Sequence, residues 1–337
     1  MEHIKAFLGG SGADAFNEPL VVDRLLQLVP ATQTANGRAI QVAYLGTATY
    51  DLPDAQEKQT GQLARRGCHV RPIRVSDPAV TQLSRDDDTY LCAQADIILV
   101  SGGNTLYAVQ RWERVGLDRL LRRVATQRGG DDGRGQVILA GGSAGAICWF
   151  TAGHSRSFDP TTFREAMLKT ASAMRADAPS SAETAAATPP KDEGSWCYIR
   201  VHGLDILPGL LCPHFDIAQG DRSVRREEDF TAMLQRHPTE RGIALDHWAV
   251  LILPGDGSYE VLPVPGHTRQ QQAAQQNAEL TGKLAPGLFV LDAAVDGSVQ
   301  QRRVAATGRV RDVLRAPTGP VAADTLEAEC AKANPAC

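Results

Sequence analysis

The chain has no surplus of basic charge: 35 Lys and Arg stand against 39 Asp and Glu, a formal net charge of -4. Polyanions are held largely by counterion release from cationic surfaces, so nucleic acid is not an expected partner. No apolar run approaches the roughly 20 residues needed to cross a bilayer, and no membrane partner is expected. The opening residues carry Glu2 and Lys5 in a strand-like pattern instead of the apolar core of a secretory signal. The seven cysteines (Cys68, Cys92, Cys148, Cys197, Cys212, Cys330 and Cys337) form an odd set without a Cys-x-x-Cys pair. That argues against a disulfide framework and a thiolate zinc site, and leaves buried thiols in a reducing, cytoplasmic compartment as the expectation. His-Glu-x-x-His and related ligand spacings are also missing, so neither a metal nor a cofactor is expected.

What is present is a chain of 337 residues, 43% apolar, enough for one large α/β core. Short apolar runs at 4–8, 40–45, 70–75, 96–100 and 137–140 read as strands, and 18–29, 56–66 and 105–124 as crossover helices. Such alternation predicts a mostly parallel sheet with helices on both faces. Further strands are expected at 198–201, 210–212 and 249–253, and a polar-faced helix at 222–236. Small antiparallel additions are expected at 259–263, 288–295 and 300–304. The boundaries follow: one α/β hydrolytic domain over 1–315, a mobile Ala/Ser/Thr/Pro-rich insertion at 165–195, a C-terminal extension from about 259, and a loose tail at 316–337.

The strongest local signal is the strand 137–140 running into Gly141-Gly142-Ser143-Ala144-Gly145. A nucleophile elbow needs small residues around a serine held in a tight strand-to-helix turn, which exposes its oxygen at the sheet edge. The Ala144 amide then sits where an oxyanion would form. The same glycines could instead merely close a turn or bind a phosphate, with Ser143 as a helix cap. At the end of the strand 96–100, Gly102-Gly103-Asn104-Thr105 lets a ligand approach the backbone: Gly103 offers a second oxyanion donor and Asn104 a substrate contact, or else Asn104 is a plain helix cap.

A serine nucleophile needs a base. Of the eight histidines, His3, His69, His237 and His267 have no supporting motif. His154 lies in a Gly-His-Ser turn, either within reach of the site or in a solvated loop. His202 follows one expected strand, and His247 precedes another in Leu245-Asp246-His247-Trp248. His214 stands apart, because Pro213 stops the strand before it and Phe215 can wall the ring. Gly10-Ser11-Gly12 after the first strand lacks the third glycine of a dinucleotide fingerprint and reads as weak. A cysteine nucleophile of the glutamine-amidotransferase kind is excluded at the elbow, and Cys148 is too far along the helix to substitute.

Taken together and in order, Gly-Gly-Asn-Thr at 102–105, Gly-Gly-Ser-Ala-Gly at 141–145 and Pro-His-Phe-Asp at 213–216 resemble a family of serine peptidases. That family includes peptidase E, the α-aspartyl dipeptidase, and cyanophycinase, and the resemblance covers about residues 5–253. It implies a flavodoxin-like or class I glutamine-amidotransferase-like, doubly wound α/β fold. Ser143 then looks like the nucleophile, His214 the base, and Gly103 and Ala144 the oxyanion hole. For the acid, the family's position points to Asp159, with Asp246 and Asp216 as rivals. The family's preference for an N-terminal aspartate implies a cation for its side chain, for which Arg222 and Arg225 are the candidates, although both also suit a solvated helix face. The expected activity is hydrolysis of Asp-X dipeptides; cyanophycinase-like cleavage of β-Asp-Arg units is the enzyme alternative, and a non-catalytic nucleotide- or phosphate-binding module the other. The expected partner is a small peptide substrate, with a homodimer compatible. Two departures stand out: Ser143 and His214 lie 71 positions apart because of the insertion, and the C-terminal extension is absent from the minimal enzyme.

Overall fold

Runs of apolar residues without polar alternation belong in the middle of a sheet covered on both faces. In the computed structural model, which describes residues 2–31, 34, 37–127, 136–176, 196–217, 225–269 and 285–321, four such runs and one part-exposed edge segment are strands. They are β1 (Lys5–Gly9), β2 (Gln41–Leu45), β3 (His69–Pro72), β4 (Ile97–Val100) and β5 (Ile138–Gly142). Between them run α1 (Ala13–Asn17), α2 (Pro19–Leu26), α3 (Pro53–Arg65), α4 (Arg85–Ala93), α5 (Thr105–Val115) and α6 (Leu117–Gln127).

The five strands pair in parallel in the order β1-β5-β4-β2-β3. Successive side chains serve opposite faces. Ala6, Leu8, Ala43, Leu45, Ile98 and Val100 join one core with residues of α4, α5 and α6. Phe7, Val42, Tyr44, Ile97 and Leu99 join another with residues of α1, α2 and α3. This is the doubly wound α/β arrangement that the alternation predicts. The single helix expected over 105–124 is two, because Gly116 adopts φ 75° and its amide returns to Glu113, closing α5 before α6 begins.

The second half follows with α7 (Ala144–Ile147), β6 (Phe150–Ser155), α8 (Arg164–Ala176), β7 (Ile199–His202), β8 (Leu207–Cys212) and α9 (Arg226–Arg236). It closes with β9 (Gly242–Leu245), β10 (Ala249–Pro254), β11 (Ser258–Pro263), β12 (Leu288–Ala293), β13 (Val299–Arg303), β14 (Thr307–Arg309) and α10 (Val310–Val313). Strands β10, β11 and β14 extend the first sheet antiparallel from β1. The others build a second sheet, β13-β12-β9-β8-β6-β7, which the sequence did not predict. Leu207, Leu211, Ile243, Leu245, Leu288 and Val290 share a core with the first sheet. The other face of the second sheet packs Leu210, Cys212 and Ala244 against Phe230, Met233 and Leu234 of α9. Residues after 259 therefore add strands to both sheets.

The insertion expected at 165–195 begins within α8, and residues 177–195 lie outside the described residues, as does the tail from 322. Among the described residues no helix is long and apolar enough to cross a membrane.

Candidate active site

The C-terminal ends of β1, β4 and β5 converge where a parallel sheet builds its sites. Ser143 joins β5 to α7 with φ 55° and ψ -121°, a backbone conformation that costs a non-glycine residue about 1–3 kcal/mol. Its amide donates to the Gly9 carbonyl, and its own carbonyl accepts from Ala146 and Ile147. A side chain at Gly145 would meet the Val100 carbonyl oxygen at 2.2 Å, so only glycine lets α7 approach β4 so closely. Trp149, fully buried, donates its indole N–H to the Ala140 carbonyl and pins the far end of the turn. The elbow expected from the sequence is formed.

Gly103 has φ 133°, and a Cβ there would meet the Ala48 carbonyl oxygen at 2.2 Å. Among the described residues no protein group accepts from the Gly103 or the Ala144 amide. The Ala144 amide beside the serine, and the Gly103 amide whose neighbour Gly102 lies against it, are thus left without a protein acceptor, as an oxyanion hole requires.

His214 follows β8. It too has positive φ, 53°, and its amide donates to the Gly10 carbonyl. Its Nε2 lies 2.8 Å from Ser143 Oγ. Burial, then the positive charge of Arg226, the neighbouring His247 ring and Arg156, hold its pKa well below the usual imidazole range. The ring is therefore neutral at neutral pH and able to accept a proton.

The other nitrogen corrects the sequence reading. His214 Nδ1 lies 2.8 Å from His247 Nδ1, and His247 Nε2 lies 3.0 Å from a carboxylate oxygen of Asp14. Asp159, expected as the acid, instead caps the short helix Pro160–Thr162 by accepting from the Thr161 amide and hydroxyl, and pairs with Arg156 at 3.3 Å. Its rivals do not bond to His214 either. Asp216 accepts from the His247 backbone amide at 2.7 Å, and Asp246 accepts from the Gly287 amide and faces Arg269. Burial, then repulsion from Asp216, pushes the Asp246 carboxyl up to about 7.

Two features of the sequence bear on these contacts. His247 stands two residues after β9, the position an edge-facing residue takes. Asp14 lies just beyond Gly10-Ser11-Gly12, the turn that fails as a dinucleotide fingerprint but leads β1 into the site.

The substrate-facing candidates fare differently. Asn104 caps α5 through the Tyr107 amide and donates to the Ser157 carbonyl and Thr162 hydroxyl, so its amide braces the 155–162 segment and has no N–H to spare for a ligand. Arg225 pairs with Glu227 at 3.0 Å and lies 3.9 Å from Glu228, and Arg222 lies outside the described residues. His154, read as a turn residue, is a fully buried member of β6 bonded to Asp229. Among the described residues no cluster of three or more His, Cys, Asp or Glu is placed to hold a metal ion.

The sequence model of peptidase family S51 matches residues 8–260. A Trypanosoma brucei brucei protein named G2/mitotic-specific cyclin-1 is 33% identical over 344 residues, spanning 98% of this chain and 94% of that protein. That name speaks for that protein alone. Uncharacterized peptidase YgaJ of Bacillus subtilis (strain 168) is 44% identical over 69 residues, 20% of this chain and 26% of its own length. The crystal structure of a peptidase from an acI-B1 Actinobacterium superimposes with a TM-score of 0.54 at 16% identity, covering 92% of this chain and 98% of that one, a likeness of fold.

Proposed function

The chain belongs to peptidase family S51, a family of serine peptidases, and from that premise we propose that it hydrolyses short peptides with an N-terminal aspartate through an acyl-enzyme. The observation that carries this reading is Ser143 Oγ at 2.8 Å from a neutral His214 Nε2, beside the undirected amides of Gly103 and Ala144.

His214 takes the Ser143 proton as Oγ attacks the peptide carbonyl carbon, and the carbonyl electron pair moves onto oxygen, which the two amides stabilise. When the tetrahedral species collapses, the C–N bond breaks and His214 gives the proton to the leaving amine. Water then repeats the sequence on the acyl-enzyme.

The preference for aspartate draws on charge. The two fixed charges that bear on His214, Arg226 and Arg156, are both positive. Arg226 is buried, donating to the Pro213 carbonyl, whereas Arg156 retains a side-chain exposure of 35% beside its partner Asp159. A substrate carboxylate entering this field gains more than a neutral side chain does.

The test is release of free amino acid from Asp-Leu, with Ala-Leu as control, by the wild type and Ser143→Ala. A loss of about 10⁴-fold or more on removing the oxygen, with Ala-Leu poorly cleaved by the wild type, supports the reading. Hydrolysis of β-Asp-Arg but not Asp-Leu would move the assignment to cyanophycinase-like cleavage. Silence on both substrates together with no fluorophosphonate label on Ser143 would overturn it.

A further inference from the structure

A serine–histidine pair needs a third group to hold the imidazole in one tautomer and orientation. For His214 Nε2 to accept the Ser143 hydroxyl proton, its Nδ1 must carry hydrogen. The atom 2.8 Å from that nitrogen is not an oxygen but Nδ1 of a second imidazole. It can accept only if His247 is neutral and bears its own hydrogen on Nε2. Asp14 Oδ2, 3.0 Å from His247 Nε2, selects that tautomer. The protons therefore point one way along the chain: Ser143 to His214, His214 to His247, His247 to Asp14.

We propose that His247, oriented by Asp14, stands where a triad acid would stand, so that this enzyme runs on a Ser143–His214–His247–Asp14 relay. The proposal rests on the reading of Ser143 as nucleophile and His214 as base. His247 is a positioning residue: the Ser143 proton moves to His214 Nε2 and on to the leaving amine, while the hydrogen bond at Nδ1 keeps the ring in register. Its own placement is fixed from several sides. The Asp216 carboxylate accepts from its backbone amide, and its ring packs edge-on to Trp248 at 4.8 Å between centroids. Asp246 just before it is committed to Gly287 and Arg269. No carboxylate hydrogen-bonds to His214 among the described residues, so the imidazolium formed during attack faces a neutral acceptor with the negative charge one ring further out.

The arrangement makes an unusual prediction about rescue. His247→Ala should lower kcat on the order of 10²-fold or more with KM changed less than about threefold, because orientation and tautomer matter chiefly in the transition state. His247→Glu supplies a carboxylate directly to His214 Nδ1 and should restore most of that loss. Asp14→Asn should cost about tenfold in the wild type, yet nothing further in the His247→Glu background, where no second ring remains to be oriented. A merely structural role for His247 would show neither the rescue nor the lost dependence on Asp14. Asp14 has a side-chain exposure of 57%, so its variant reads the relay even if His247→Ala fails to fold. If Ser143→Ala is inactive while Asp14→Asn and both His247 variants stay within about threefold of wild type, the relay is wrong and the serine-peptidase reading stands. If Ser143→Ala retains activity, that reading itself has failed.

Discussion

The described residues include two sets of nucleophile, imidazole and carboxylate, set in contrasting surroundings. In the second sheet, His154 Nε2 lies 2.7 Å from Asp229 and its Nδ1 3.7 Å from the Cys212 sulfur. At the edge of the first sheet, Ser143 meets His214, which meets His247. Read as a roster of residue types, the first set resembles a cysteine peptidase triad more closely than the second resembles a serine one. Its surroundings cancel it. His154 and Cys212 are fully buried, the imidazole stacks on Tyr198, and burial pushes the Cys212 thiol up to about 12. Neither residue has the positive φ that Ser143 and His214 share. Ser143 and His214 have both strain and flanking donors. A reactive triad is thus defined by what surrounds it as much as by its three side chains.

The sharpest way to break this comparison is at the two nucleophiles. Ser143→Ala should abolish Asp-Leu hydrolysis by about 10⁴-fold or more, whereas Cys212→Ser should leave kcat/KM within about twofold; a large loss in the cysteine variant would place the buried set in the mechanism. Next comes the oxyanion hole, which only the serine set possesses. Gly103→Ala forces a methyl against the Ala48 carbonyl at a positive φ, and kcat should fall about 10²–10³-fold with KM little altered. The carboxylates separate the two sets by kind of effect: Asp229→Ala should lower stability by about 2 kcal/mol, seen as a lower urea midpoint, and leave kcat unchanged.

The smallest effect is one of pH. Burial lowers the pKa of both His154 and His214 from the ordinary 6.5. Below that value the unfolded chain binds protons that the native state refuses, so stability falls as pH drops from about 7 to 5.5. Asp246 works in the opposite sense, because its raised pKa makes the native state hold a proton that the unfolded chain has released by pH 7. Urea midpoints measured at both pH values should therefore show a drop on acidification that deepens in Asp246→Asn.

The central strands of the first sheet, β1, β2, β4 and β5, were legible because they are buried on both faces and so read as nearly unbroken apolar runs. The elbow was legible because its glycines answer to local geometry: each has a backbone atom against it. Strand β6, Phe-Thr-Ala-Gly-His-Ser, carries polar residues that find partners only across the second sheet, and β9 is four residues long, so neither announces itself. The histidine that meets Ser143 was legible from Pro213 and Phe215, but the residue on its other side was not. His247 and Asp14 come from chain segments joined only by tertiary packing, and a family's acid position does not say which side chain packs against His214 Nδ1. Asp159 carried the expected charge at the expected place and was engaged by its own local turn.

The end of β1 has a consequence for how this enzyme tolerates change. Neighbouring carbonyls, Gly9 and Gly10, receive the backbone amides of Ser143 and His214 respectively. Both reacting groups are thus gauged from one datum, like two tools mounted on a single jig. The spacing between oxygen and imidazole is then indifferent to how much chain is spliced between them, and lengthening the segment that separates α8 from β7 leaves the gauge untouched. A single residue inserted between Gly9 and Gly10 would be the smallest edit that detunes it.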